Sequence, residues 1–372
     1  MAWAADLNNI QRHLALLLPE LEAGGAQRVM LSMAGGLARR GHRVDLLVLA
    51  ATGPLRDELP AAVRLVDLAV RGGDEGGTIF ALRAVARLAG WLRHERPAAL
   101  LSTISGTNLA AVLARALGSP STRLVLREAV TLDNVVSPGR LRLMRWLYPR
   151  ADCVVALSHH MAAQINRSLG VPLPRIRRIA NPVDTARIHD LAARPLSHPW
   201  LMQPDARLIV GVGRLIPQKD FATLLRAFAR LPAAGVRLAI VGDGPERSDL
   251  ARLAVELGLS DAVLFVGFDA NPWRWMARAE LLVSSSRWEG HPNVLLEALA
   301  LGLPVVSTRY DPSACELGEL AGGIPVRLAE VGDVDGLSRQ IADALAAPAA
   351  RHHGAPSSVE AGITAYEDAL RG

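Results

Sequence analysis

Lysine is almost absent from this chain. Of 41 cationic side chains in 372 residues only Lys219 is a lysine, and the rest are arginine. An excess of arginine and alanine is the mark of a GC-rich coding bias and carries no function by itself. Cysteine is scarce too. Cys153 and Cys315 stand far apart and form no CxxC, which argues against a disulfide scaffold or a cysteine zinc site and points to a reducing compartment, the cytoplasm. No block of basic residues occurs, although the formal net charge is +5, so nucleic acid is not an expected partner. The mild positive charge suits an anionic small molecule or an anionic membrane surface. Long apolar runs are missing as well. The longest uncharged stretch, 97–114, holds Ser102, Thr103, Ser105, Gly106, Thr107 and Asn108 in its middle. That pattern predicts a strand, a polar loop and a helix, not a membrane span. The first residues carry Asp6 and no basic segment, and the apolar run 14–18 is too short for a signal peptide. There is no GxGxxG: Gly211 and Gly213 lack the third glycine, since Ile216 stands there, so a nicotinamide cofactor gains no support.

What is present is a globular composition, 50% apolar and 21% charged, at a length that suits two domains. Strand and helix signals alternate in the first half: strands over 13–18, 44–50, 98–102, 123–127 and 153–157, helices over 25–38 and 83–93. The pattern breaks at 181–204, where Pro182, Pro195, Pro199 and Pro204 interrupt any apolar period. It restarts with strands over 208–212, 238–241, 263–265, 281–284 and 304–307 and helices over 221–230 and 248–257. The expected fold class is therefore α/β, two doubly wound domains in tandem, with ligands bound beyond the carboxyl ends of strands in a cleft between them.

Five segments fall at those strand ends. Gly24 and Gly25 open a helix, where paired glycines admit a ligand to the backbone and helix N–H groups favour an anion; a plain turn reads the same way. Gly213, Arg214 and Lys219 share one loop, and a planar guanidinium with a compact ammonium suits a pyrophosphate. Two solvated surface cations are the ordinary alternative. Gly242-Asp243-Gly244 reads as a tight turn. The richest segment, SSRWEGHPNVLLEA, places Glu289 in a loop and Glu297 inside the helix that follows Pro292. A carboxylate flanked by Leu295, Leu296, Ala298 and Leu299 is uncomfortable unless it has a task, such as accepting hydrogen bonds from a sugar diol. Lastly, Ser313 of Asp311-Pro312-Ser313 could cap a helix.

In this order the segments GGAQR, GRLxxxKD, GDGPER, SSRWEGxPNVLLEA and GLPVVST, with Ile179-Ala-Asn181-Pro-Val-Asp184 between them, resemble the retaining glycosyltransferases of family 4, which have the GT-B fold. The resemblance covers nearly the whole chain. It implies an acceptor domain over 1–184, a linker over 185–206, a nucleotide-sugar domain over 207–350, and a tail helix over 351–372 that returns to the first domain. It implies that Arg214 and Lys219 hold the diphosphate, Glu297 the ribose, and Glu289 the transferred sugar, with Gly290, His291, Pro292 and Asn293 assisting. Gly24, Gly25 and Gly213 would border the donor, and Glu128 and Asn108 are acceptor-side candidates. Arg214, Lys219 and Glu289 form the expected catalytic set. The favoured family mechanism is front-face, with the departing phosphate oxygen taking the acceptor proton, so stabilising that oxygen is the main task. No cofactor and no metal are expected. The partners implied are a nucleotide-diphosphate sugar, by family habit a UDP-sugar, and a glycan or lipid-linked glycan of a bacterial surface. The chain departs from the family pattern at Asp311-Pro312-Ser313, where Ser-Gly-Pro is common, and at His291. A nucleotide-sugar epimerase and a silent GT-B scaffold remain alternatives on the sequence alone.

Three further features are weighed. Asp333-Val334-Asp335 is formally DxD, read here as helix capping. The pairs His159-His160 and His352-His353 have poor geometry for a shared metal, and no His/Asp/Glu cluster is visible elsewhere. Residues 139–150, GRLRLMRWLYPR, mix arginines with Leu, Met and Trp. That suits either a core-packed helix with a charged outer face or contact with an anionic inner membrane surface.

Overall fold

The computed structural model of the protein describes residues 11–22, 24–70, 78–129, 132, 137–202, 207–231, 235–347 and 359–372. The pair His352-His353, and Val130 and Thr131 beside Glu128, lie outside the described residues. The chain divides into two compact units, Met1–Pro182 with Val359–Gly372, and Val183–Ser358.

The first unit is built on β1 (His13–Leu18), β2 (Arg43–Val48), β3 (Val63–Asp67), β4 (Ala99–Thr103), β5 (Arg123–Arg127), β6 (Cys153–Ala156) and β7 (Ile176–Arg178). Between them run α1 (Gly25–Arg39), α2 (Thr78–Glu95), α3 (Ser105–Gly118), α4 (Pro138–Leu147) and α5 (His159–Leu169). The sheet order is β3-β2-β1-β4-β5-β6-β7, all parallel. Parallel strands covered on both faces must be apolar on both. In β1, Leu14, Leu16 and Leu18 enter one core and Ala15 and Leu17 the other. Each such fully buried leucine contributes roughly 2 kcal/mol of burial.

The second unit begins with α6 (Thr185–Ala192) and continues with β8 (Arg207–Val212), α7 (Phe221–Phe228), β9 (Val236–Val241), α8 (Arg247–Glu256), β10 (Val263–Gly267), α9 (Trp273–Met276), β11 (Leu281–Ser284), α10 (Asn293–Ala300), β12 (Val305–Thr308), α11 (Leu317–Leu320), β13 (Val326–Ala329) and α12 (Val334–Ala346). Its sheet order is β10-β9-β8-β11-β12-β13, again parallel. The last helix, α13 (Val359–Arg371), packs on α1, β4 and β5 of the first unit. Its Ile363, Tyr366, Ala369 and Leu370 complete that core. Glu367 of α13 receives Arg40 at 2.6 Å and contacts His42 at 3.0 Å. Burial pushes its carboxyl up, but these partners outweigh the burial and hold it below the usual range.

Two features were not visible in the sequence. The prolines of 181–204 lead to the reading of a linker, bounded at 185–206. Yet 185–192 is helix α6, whose Asp184 cap accepts from Arg187 N and whose Ile188 and Ala192 are buried in the second core. The strands β3, β7 and β13 carried no apolar-run signal. They are three of the four sheet edges, and their residues are mostly half-exposed.

A cluster that the sequence did not reveal lies at the amino ends of β1 and β2. His13, Asp45 and Glu95 bring three potential metal-binding atoms within 4.8 Å of one another. Arginines already fill their acceptor positions. Arg64 donates to Asp45 at 2.8 and 2.5 Å and to Glu95 at 2.8 Å, and Arg43 donates to Glu95 at 2.7 Å. Burial raises the Asp45 carboxyl, but Arg64 and His13 together hold it below its ordinary range. We read this as an ion-pair network, at the end of the sheet away from its ligand-binding side.

Candidate active site

In each sheet the strand order reverses at one place, between β1 and β4 in the first unit and between β8 and β11 in the second. Ligands of doubly wound sheets bind beyond the strand ends at that reversal. The sequence-selected residues fall there. Gly213, Arg214 and Lys219 follow β8, and Glu289 to Asn293 follow β11. In the first unit, Gly24 and Gly25 follow β1, and Asn108 follows β4.

The loop after β8 is held tightly. Leu215 N donates to Asp243 O, and Lys219 N to Ile216 O. Asp220 sits in the left-handed region at φ +45°, which Asp tolerates better than most residues. Its side chain caps α7 by accepting from Thr223 N at 3.2 Å, and it receives Arg287 at 3.1 Å. Arg214 is exposed.

The structure brings Lys219 and Glu289 together. Lys219 Nζ lies 2.5 Å from Glu289 Oε1, and Ser286 Oγ donates to the same oxygen at 2.6 Å. Glu289 is only 6% exposed, so this carboxylate is neutralised by a neighbour and not by water. Gln218 fastens the loop by donating to Trp288 O at 2.8 Å, and Thr308 Oγ1 donates to Ser286 O at 2.5 Å. Beside them Tyr310 is buried. Burial first, then the Asp311 and Glu289 carboxylates, push its phenol well above the ordinary range. Ser286, Thr308 and Tyr310 were not singled out in the sequence. Thr308 and Tyr310 come from the end of another strand, β12, and such a contact leaves no local pattern.

Pro292 is the N-cap of α10, Gly290 is buried, and His291 and Asn293 are half-buried. Glu297 lies inside α10, with Leu295, Leu296, Ala298 and Leu299 buried around it. The indole of Trp273 donates to Glu297 Oε2 at 2.9 Å. Trp273 is another residue that sequence reading missed.

In the first unit Gly24 is the N-cap of α1 and Gly25 its first residue, with no acidic side chain in the first turn. Glu128 and Asn108 meet through one phenol. Tyr148 donates to Glu128 Oε2 at 2.6 Å, and Asn108 Nδ2 lies 3.1 Å from the same phenol and donates to Arg127 O at 3.0 Å. Both residues are fully buried. As placed, they hold the Tyr148 phenol and the Arg127 carbonyl. Burial, then Glu128, pushes the Tyr148 phenol well above its usual range. Two capping expectations also resolve. Asp311, not Ser313, caps the short helical turn Pro312–Glu316: it stands just before the turn and accepts from Ser313 N at 2.7 Å, closing an Asx turn, whereas Ser313 lies inside it. Asp333 caps α12 by accepting from Gly336 N at 2.8 Å, and Asp335 pairs with Arg230.

The chain matches two family descriptions, Glycosyl transferase 4-like domain over residues 24–182 and Glycosyl transferases group 1 over residues 197–356. It is 33% identical over 216 residues to N-acetylgalactosamine-N,N'-diacetylbacillosaminyl-diphospho-undecaprenol 4-alpha-N-acetylgalactosaminyltransferase of Campylobacter jejuni, a match spanning 56% of this chain and 57% of that relative. It is 30% identical over 318 residues to the lipopolysaccharide core biosynthesis glycosyltransferase LpsE of Rhizobium meliloti, spanning 86% of this chain and 84% of that one. Its fold resembles that of Anabaena HepE, solved in complex with UDP and glucose, with a TM-score of 0.72 at 19% identity over 97% of this chain and 95% of that one. Matched in both halves, aligned along most of one relative, and built on two parallel sheets with ligand loops at their reversals, the chain belongs to the group 1, family 4 glycosyltransferases, enzymes of the GT-B fold.

Proposed function

We propose that this enzyme moves a sugar from a nucleotide-diphosphate sugar, a UDP-sugar, to a glycan or lipid-linked glycan of the bacterial surface, with retention at the anomeric carbon. The observation that carries the donor half is the Lys219–Glu289 pair at the second sheet's reversal, one loop away from Glu297 on α10. The relatives' names support the acceptor class, one an undecaprenol-linked saccharide and one a lipopolysaccharide core. The UDP complex of HepE supports the base.

In the reaction the bond between the anomeric carbon and the diphosphate oxygen breaks. The acceptor oxygen bonds on the same face, and its proton passes to the leaving phosphate oxygen. Arg214 and Lys219 supply the positive charge that this leaving group needs, so the reading includes no metal or other cofactor. Glu289 would accept hydrogen bonds from the transferred sugar and Glu297 from the ribose diol, with Gly290, His291, Pro292 and Asn293 lining the donor. Gly24 and Gly25 would offer the N–H groups of the α1 N-terminus to an anionic group of the ligand. Glu128 and Asn108 are buried supports of the acceptor side.

A panel of nucleotide-sugars, with and without glycan acceptors and with a chelator, tests this reading. Donor hydrolysis or transfer that survives the chelator is expected. A complete lack of turnover across the panel sinks it, and a sugar isomer released from donor alone would instead mean an epimerase. In the same assay Glu297→Ala should raise donor KM by about 10- to 100-fold, the loss of one or two hydrogen bonds to a charged group. Unchanged donor affinity removes the ribose role from Glu297.

The same reading places the enzyme on the cytoplasmic face of the inner membrane as a peripheral protein. No described helix is long and apolar enough to cross a membrane. On α4, Met144 and Leu147 face inward, while Arg142, Leu143, Arg145 and Trp146 are exposed and Arg150 lies 4.2 Å over the Trp146 ring. An outer face that carries both arginine and tryptophan suits anionic headgroups. The wild type should sediment with phosphatidylglycerol vesicles and not with neutral ones, and Arg142→Glu with Arg145→Glu should release it. Equal sedimentation of both proteins removes this placement.

A further inference from the structure

Three serines in a row, Ser284, Ser285 and Ser286, close β11 at its ligand end. Their hydroxyls divide between the two members of the Lys219–Glu289 pair. Ser286 Oγ donates to Glu289 Oε1 at 2.6 Å. Ser285 Oγ donates to the main-chain oxygen of Lys219 at 2.9 Å. We propose that Ser286 is a positioning residue for Glu289 and Ser285 one for Lys219, so that this run sets the carboxylate and the ammonium separately. The inference rests on the reading of Glu289 as the carboxylate for the transferred sugar and of Lys219 as the cation for the diphosphate.

The division follows from the backbone. In an extended chain successive side chains point to opposite faces, so Ser284 and Ser286 share one side and Ser285 takes the other. Ser284 Oγ lies 3.3 Å from Ser286 Oγ. A hydroxyl has one proton, and that of Ser286 goes to the carboxylate. Ser284 is then the donor to Ser286, and each bond polarises the next. Ser285 and Ser286 are both buried, so both bonds are sheltered from water. The main chain of Ser286 is pinned from β12, where Thr308 Oγ1 donates to Ser286 O, and the next residue is pinned from the lysine loop, Arg287 N donating to Gln218 O at 2.8 Å. Lysine carries its charge on a flexible stem, so a carboxylate held by Lys219 alone would follow the ammonium when a diphosphate draws it away. A second donor fixed to β11 keeps Glu289 in place. Gln218 Nε2 approaches Glu289 Oε2 only to 3.5 Å, a weaker hold.

The test uses the full chain, UDP as the sugar-free probe, and UDP-glucose and UDP-N-acetylglucosamine as donors. Ser286→Ala should lower donor turnover by about tenfold and leave UDP affinity within about twofold, the loss of one hydrogen bond to a carboxylate that UDP does not use. Ser285→Ala, one residue away, should weaken UDP by about 3- to 10-fold, because it loosens the lysine. A double-mutant cycle with Glu289→Ala decides whether Ser286 acts through that carboxylate. In the Glu289→Ala background Ser286→Ala should cost nothing further. An equal loss in both backgrounds, or UDP weakened as much by Ser286→Ala as by Ser285→Ala, shows a merely structural role and overturns the proposal. Unchanged turnover in Ser286→Ala, or unchanged UDP affinity in Ser285→Ala, overturns it too. Ser286→Cys keeps a weak donor of similar size and should fall between Ala and the wild type; it carries the same cycle should Ser286→Ala fail to fold. Glu289→Ala that turns over like the wild type refutes the reading of Glu289, and a wild type that turns over no nucleotide-sugar refutes the donor reading. The proposal falls with either.

Discussion

Lys219→Met is expected to lower turnover by about 100- to 1,000-fold, the cost of removing one preorganised electrostatic donor from a site of charge development. Lys219 Nζ sits 2.5 Å from Glu289 Oε1, and its backbone is tied down on both sides, Lys219 N donating to Ile216 O and Ser285 Oγ donating to Lys219 O. The ammonium is thus fixed before any donor arrives. The variant also strands a nearly buried carboxylate, so some loss of stability accompanies the loss of rate, and a thermal unfolding curve separates the two. Lys219→Arg is the sharper comparison. It keeps the charge but replaces a compact ammonium with a wide, planar group. The stem runs beside Gly213, where an added Cβ would stand 3.4 Å from Lys219 Cε, so there is little spare width. A guanidinium would also grip both oxygens of Glu289. Turnover about tenfold below wild type is expected. If Lys219→Arg turns over like the wild type, the chain's lone lysine is a residue of composition and has no special role.

Gly242→Ala is expected to destabilise the second unit by about 3 kcal/mol or more, since it forces a backbone conflict that no side-chain rotation relieves. Gly242 follows β9 with φ +146°, and a Cβ there would stand 1.9 Å from the carbonyl oxygen of Gly213. Neither partner can yield. Gly242 N donates to Gly267 O at 2.8 Å and Gly213 N to Val241 O at 3.0 Å. The first residues to move would be the loop that carries Arg214 and Lys219, so donor affinity should fall together with stability. Gly235→Ala is the control. Gly235 also has a positive φ, +84°, but nothing lies within 4 Å of its would-be Cβ. It should cost only the backbone strain, about 1 kcal/mol. Denaturant unfolding of both variants decides. Equal losses would show that the close approach of the two loops contributes nothing.

The central strands were legible because they are buried on both faces. β5 and β11 begin and end where the apolar runs do, at Arg123–Arg127 and Leu281–Ser284. Three of the four edge strands were not legible, since a half-exposed strand such as Val63–Asp67 needs few apolar residues; the fourth, β10, was legible from its apolar run over 263–265. Residues 185–192 misled through composition. Prolines crowd the region, yet the stretch from Thr185 to Ala192 holds none, and Asp184 starts a helix there. Within the site, Arg214, Lys219, Glu289 and Glu297 could be selected because each sits in a loop or helix start of distinctive local sequence. Glu128 was selectable for the same reason, but nothing local said that it is buried.

The sequence by itself determined the class of the fold, the ends of the strands where ligands bind, and the family, because strand burial, glycine turns and the Glu289–Glu297 spacing are all written over short stretches. Only the tertiary structure decided the partners. Lys219 meets Glu289 across 70 residues and Trp273 meets Glu297 across 24, and no periodicity links positions so far apart. A parallel sheet brings successive strand ends together only after its crossovers have folded. Which donor faces which carboxylate, cation or neutral indole, is fixed at that step.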